Sequence, residues 1–406
     1  MKTVAYREVE AMTTGWWMLM GALAAFTSLG LLAAFYMEHN GHWVTGMTNQ
    51  IVWGLPHVFA VFLIVAASGA LNVASISSVF GRTAYKPLAP LSALLAVSLL
   101  AGGLTVLLLD LGRPDRLMVA MTKYNFRSIF AWNVILYSGF FGIVVVYMWT
   151  MMDRRMKSFS KPAGFAAFAW RLILTTGTGS IFGFLVARTP YDSAVMAPMF
   201  IAMSFSFGLA VFILVVFASS EMTHRPLGDA LVRRLKNLLG VFIAAVLYFV
   251  TVQQLTGLYV AEKRDAVVFL LTNGGVFTIL FWLVQIGLGA LLPLALLFAP
   301  PTAMNRPAIG LAAILVIVGG IAQVYVIIIG GQAYPMPLFP GFEVTSSFFD
   351  GQVNTYVPSG PEAFLGVSGF AVAMLLVAFA STVFRFLPES LADEVVDPHC
   401  AAKARK

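Results

Sequence analysis

Long apolar runs, broken by short polar connections, make up most of this chain. A helix that spans a bilayer needs about 20 mostly apolar residues. Ten runs meet that length, at approximately 15–36, 54–78, 88–110, 129–150, 163–187, 195–218, 238–260, 275–298, 309–330 and 364–386. The runs are continuous, whereas a membrane β-barrel shows shorter segments of alternating hydrophobicity. The pattern therefore predicts an all-α integral membrane protein of about ten transmembrane helices. Composition agrees: 60% of the 406 residues are hydrophobic and 11% are charged, where a soluble domain carries roughly 25% charged residues. The first run lacks a small-residue cleavage site and reads as a retained anchor.

Charge then sets an expected orientation, because Lys and Arg concentrate in cytoplasmic connections. Ten crossings put both ends of the chain on one side. That side carries 17 of the 25 Lys and Arg residues, the other side carries 7, and Arg171 lies within a run. Both termini are therefore expected in the cytoplasm. The net charge of +7 follows from these cationic connections facing anionic lipid. Four of the seven outer cations, Arg113, Arg116, Lys123 and Arg127, share one connection, which suggests a local task. The longest outer connection, 331–363, has no Lys or Arg and is rich in proline and aromatics. It reads as an ordered cap or docking surface, or in part as an interfacial aromatic belt.

Ionisable groups inside a bilayer are costly, so each is a functional candidate. His57, in "WGLPHVFAVF", opens the second run, and Asp110 closes the third in "LLLDLGRPDRL". Sequential helices commonly pack side by side, so the two are expected at one depth. Two readings stay open for Asp110: it pairs with Arg113 and satisfies a helix end, or it serves proton transfer with His57 beside a ligand. Tyr124, Asn125, Arg127 and Trp132, in "KYNFRSIFAWN", approach the same region. Arg127 is expected either to hold Asp110 ionised or to orient a carbonyl-bearing ligand. Tyr124 is expected to do the latter, while Arg127 and Trp132 also read as interface anchors. Arg171 is expected to snorkel to the cytoplasmic side or to pair, or else to belong to a proton or water path. Gln253, Gln254, Gln285 and Gln323 are expected to bond between helices, and "GTGSIFG" to let helices approach closely.

The inventory also excludes chemistry. One cysteine, Cys400, cannot hold an iron–sulfur cluster, which needs four ligands. Of five histidines only His57 sits at a run, so a bis-histidine haem is not expected on this chain. No metal-ligand spacing and no phosphate loop appears.

"LDLGRPDRL", "NFRSIFAWN" and "WGLPHVFAVFLIVAASGALNVASI" resemble the NrfD/polysulfide-reductase membrane-subunit family, most plainly over residues 50–150. Ten runs and "PMPLFPGFEVTSSFFDG" further resemble the DsrP-type branch, found in DsrMKJOP sulfur-metabolism complexes. The resemblance implies a first four-helix bundle over 1–150, a second over 151–300, and two more helices with a long outer loop and a cytoplasmic tail over 301–406. It implies a haem-free quinone site, for menaquinone or ubiquinone, on the outer side of a bacterial cytoplasmic membrane. Asp110 and His57 would serve it, with Arg113 and Arg127 supporting and Tyr124 and Asn125 nearby. The implied partners are a periplasmic ferredoxin-like iron–sulfur subunit, and with it a multihaem cytochrome c and other membrane subunits. The chain would then be a quinone-reactive subunit of an oxidoreductase complex rather than a free-standing enzyme. Competing readings are a proton- or solute-coupled transporter and a passive anchor for a redox partner.

Overall fold

The computed structural model describes residues 4–10, 13–336 and 351–396. Ten long helices carry the fold: α1 (Thr14–Asn40), α2 (Leu55–Ser78), α3 (Thr83–Leu109), α4 (Ile129–Met152), α5 (Ser160–Gly183), α6 (Met196–Thr223), α7 (Asp229–Tyr259), α8 (Val276–Phe298), α9 (Arg306–Ala333) and α10 (Gly360–Val383). Nine of them are long and apolar enough to cross a membrane; α5 falls short on apolarity. Parity nevertheless makes α5 a crossing. The strand β1 (Tyr6–Arg7), before α1, pairs antiparallel with β2 (Leu387–Pro388), after α10. Both described ends therefore lie on one face, here the tail face, and an odd number of crossings would separate them. Contacts along α5 agree: Asn133, early in α4, bonds the Gly177 carbonyl late in α5 at 3.1 Å. A Cβ at Gly164, early in α5, would meet Tyr147, late in α4.

Arg225 ties the tail face together. It donates to the carbonyls of Arg7, Glu8, Leu387 and Pro388. Arg306 adds bonds to the Leu227 carbonyl and to Asp229.

α2 occupies the centre, with 89% of its apolar stretch buried. Its small residues cause this. A Cβ at Gly69 would strike the Ser204 carbonyl of α6, and one at Gly208 the backbone of Gly69 and Ala70. The two helices thus touch backbone to backbone, a contact that membrane helices make through small residues. The "GTGSIFG" stretch of α5 behaves likewise, with Gly177 against Leu136 and Gly179 against Met196 and Ala197. The last two helices have their main partners in different halves. α10 packs on α1, α3 and α2, and α9 on α8 and α6. Most core side chains form one continuous cluster, while the outward residues of α1, such as Leu29, Leu32 and Phe35, are exposed as lipid contact demands.

The structure decides between the readings of Arg171 and corrects two other expectations. Arg171 does not snorkel: it is fully buried, donating to Asn72 Oδ1 at 3.0 Å and the Ser68 carbonyl at 3.3 Å, under the rings of Phe168 and Phe205. The break in α2 at Leu71 brings Asn72 within its reach. Lys236, counted as a loop cation, lies within α7 because that helix starts at Asp229; it bonds the Leu297 carbonyl at 2.7 Å. Among the amides, Gln253 bonds a connection and not a helix, accepting from Ser193 ahead of α6 at 2.7 Å, and the Gln323 Nε2 is buried without a partner among the described residues. Of the long outer connection, 337–350 lies outside the described residues, as does Cys400.

Candidate functional site

The face opposite the tail face, here the rim face, holds His57 and Asp110. Each sits at a helix end. Pro56 stands in the first turn of α2, where its missing N–H costs nothing. The Leu55 N–H, one of the donors a helix start leaves orphaned, is satisfied by Tyr356 Oη at 2.7 Å. That hydroxyl in turn donates to Glu362 Oε1 at 2.7 Å. Glu362 is fully buried, and its other oxygen accepts from the N–H groups of Gly46 and Ser359. Burial, then the bond to Glu362, pushes the Tyr356 phenol up, so it stays a donor. Gly54 must lack a side chain here, because a Cβ would crowd Glu362 and Tyr356. The start of α10 therefore fixes the start of α2.

A second clamp comes from the end of α9. Gln332 accepts from the N–H groups of Val52 and Trp53 at 2.9 and 3.0 Å and donates to the Trp53 carbonyl at 3.1 Å. Arg188 joins this clamp by donating to the carbonyls of Gln332 and Gln50. The Trp53 ring so placed stacks on His57 with centroids 5.4 Å apart and planes 10° apart. Its edges meet Phe130 and Phe182.

Asp110 caps the C-terminal end of α3, its N–H bonded to Val106 and Leu108 carbonyls. Peptide dipoles make that end negative, so a carboxylate gains nothing from the helix. The side chain is 6% exposed, and Oδ2 lies 3.9 Å from His57 Nδ1. Oδ1 is buried with no hydrogen-bond partner among the described residues. A buried acceptor left unpaired costs about 1–3 kcal/mol, and a ligand's hydroxyl donor removes that cost. The arrangement offers a hydroxyl-bearing ligand an unpaired acceptor and an imidazole at one depth beside an aromatic wall.

The other expected residues stand apart. Arg113 is exposed and pairs with Asp115 at 3.2 Å, not with Asp110. That bond holds the Asp115 carboxyl below its ordinary range. Pro114 turns the chain at the helix end and carries Arg113 outward. Arg127 and Asn125 are exposed, and Asn125 Oδ1 accepts from the Arg127 N–H at 3.1 Å in a local turn. Tyr124 is half-buried and stacks on Phe126, whose carbonyl accepts from Trp132. Sequence reasoning passed over Trp53, Gln332, Tyr356 and Glu362. It also passed over His42, whose ring lies beside Gly112 with an unpartnered buried Nε2, 3.8 Å from Glu38. The one early signal was "SGPE", a Ser with Glu three positions on, which forms the capping box that opens α10.

The chain is 29% identical to the Hdr-like menaquinol oxidoreductase integral membrane subunit of Archaeoglobus fulgidus, over 97% of this chain and 99% of that protein. It is 25% identical to a putative dimethyl sulfoxide reductase membrane subunit of Halobacterium salinarum, over 92% of this chain and 91% of that protein. A polysulfide reductase polypeptide of Wolinella succinogenes is also 25% identical, over 70% of this chain and 96% of that protein. A family model, "Polysulphide reductase, NrfD", matches residues 43–336, and the chain belongs to that family.

Proposed function

We propose that this chain is the quinone-interacting membrane subunit of a multi-subunit oxidoreductase, and that its quinone site is the rim pocket of His57, Asp110 and Trp53. The observation that carries the reading is the buried, unpartnered Asp110 Oδ1 beside an imidazole. Relatives named as menaquinol oxidoreductase and reductase membrane subunits support it. A bound quinol supplies two electrons and two protons. Asp110 Oδ1 accepts the first hydroxyl's hydrogen bond and then its proton, the carboxyl passes that proton by way of His57 to water at the rim face, and Asp110 then accepts the second proton and passes it on by the same route, while Trp53 holds the imidazole plane. A base needs hydrogen-bond reach or one bridging water; the 3.9 Å between His57 and Asp110 suits a slight closure or a water. The electrons leave to an iron–sulfur partner docked on the rim face, and quinone reduction runs the same proton steps in reverse.

The finer parts belong to the same proposal. The rim face points to the periplasm and both termini to the cytoplasm, by the cation count. A ferredoxin-like subunit covers the rim, and a multihaem cytochrome c joins the complex, as the DsrP-type resemblance implies. Arg113, Arg127, Tyr124 and Asn125 then belong to the docking surface or the pocket mouth rather than to the proton site.

Titration of the purified chain with a soluble naphthoquinol analogue, read by tryptophan fluorescence, tests the site without a partner. Expected is saturable quenching, with Asp110→Asn and His57→Ala each weakening affinity by about tenfold, close to 1.4 kcal/mol. Unchanged affinity in both variants rules this pocket out. Solute flux in vesicles holding the chain alone would favour the transporter reading instead.

A further inference from the structure

The second half of the chain contains a polar interior that the rim site does not use. α8 is wound as a π-helix across Leu280–Leu291, and α9 across Val326–Gly330. Such wide turns are rare and concentrate at functional sites. They lie beside a cavity of about 50 Å³ bounded by α6, α7, α8 and α9, with Gln253, Gln254, Gln285 and Gln323 in its lining. A second cavity of about 20 Å³ continues from it, sharing Gln285, Gln323 and Val250 and adding Ser206.

The amides point to the occupant. Gln323 is 3% exposed, and its Nε2 has no hydrogen-bond partner. Gln285 is 7% exposed and lines both cavities. A buried, unpaired amide is costly in a bilayer interior. Room for one water takes roughly 10–15 Å³ with two to four polar partners. By that measure the two cavities have room for about four to seven waters in all. They are too small for a ring system, and no charged side chain lines them.

We infer that α6 to α9 enclose a hydrated inlet: a short chain of water, held by Gln285 and Gln323, running from the rim face to the middle of the bilayer. At the rim end Gln253 bonds Ser193, next to the Asp192–Lys263 ion pair at 3.3 Å. At the inner end Gly289 and Gly319 touch backbone to backbone, and the remaining lining, including Ile243, Val246, Ala290 and Val316, is apolar. The inlet therefore ends blind. It admits water and a proton relayed along water, and it offers a free ion no counter-charge. This site is separate from the rim pocket and does not depend on the quinone reading.

Hydroxyl-radical footprinting of the full chain in lipid nanodiscs tests it, because radicals form on buried waters and oxidise methionines beside them. Met196 and Met199 line the larger cavity and are 3% and 2% exposed. Met203 and Met37 are equally buried, at 0%, and line neither cavity. Expected is oxidation of Met196 and Met199 at least about fivefold faster than of Met203 and Met37, as bound water requires. Equal protection of all four overturns the inlet. In the Gln285→Leu/Gln323→Leu variant the excess at Met196 and Met199 should fall, with exposed Met222 unchanged as the internal reference. Should that variant fail to fold, the wild-type contrast between the two methionine pairs still decides.

Discussion

The rim pocket and the inner cavity are both polar places in an apolar chain, yet they are built in opposite ways. The rim pocket holds an ionisable pair, His57 and Asp110, at the membrane boundary. Its frame is made of backbone hydrogen bonds supplied from far along the chain, by Gln332 and by Tyr356 with Glu362. The inner cavity holds only neutral amides, and its frame is a deformed helix. One frame surrounds ionisable groups, and the other surrounds groups that carry no charge. The proposed proton chemistry needs the first kind, whereas the inferred water needs only the second.

That contrast orders the expected effects of substitution. The largest falls on the joint between the two halves, where α2 meets α6. Gly69→Ala forces a methyl into the Ser204 carbonyl, so thermal unfolding in detergent should show a loss of at least about 3 kcal/mol. A near-normal midpoint would mean that the halves are not locked together. Next comes the rim frame. Glu362→Gln disturbs an acceptor that serves Gly46, Tyr356 and Ser359, and should cost about 2 kcal/mol. It should also weaken quinol-analogue binding with His57 and Asp110 intact; unaltered binding would show that α10 does not position the pocket. The inner cavity should respond less. Gln323→Leu exchanges a buried amide whose Nε2 has no described partner for a side chain of like size, so stability should move by under about 1 kcal/mol. A larger loss would mean a protein partner for that amide. Smallest of all is Arg113→Ala. Its only described ion pair is an exposed one with Asp115, so neither unfolding nor analogue binding should change measurably, whereas partner docking should weaken with a reduced salt dependence.

The same contrast explains what the chain reveals before it folds. Run lengths reveal the ten helices, because lipid imposes one rule on all of them. Even so, α5 passes the parity test and not the apolarity test, since Arg171 hides against Asn72 and Ser68 rather than in water. The meeting of His57 and Asp110 was legible because sequential helices share a boundary. The grouping of Arg113 and Arg127 with them was not, because spacing along a helix ceases to apply once Pro114 turns the chain. Gln332 and Glu362 stand 275 and more positions from His57, and no local pattern links them. The inner cavity was equally hidden. Four glutamines on apolar helices look like interhelical bonds, whereas Gln285, inside the π stretch of α8, and Gln323, just before the π turn of α9, both line the cavities.

Quinol oxidation by the assembled complex carrying Asp110→Asn tests the central claim most directly, with assembly checked by co-purification of the partner subunits. A proton-accepting role for Asp110 predicts turnover lowered by about 10² or more, with the complex intact. Turnover equal to wild type in the intact complex would contradict it.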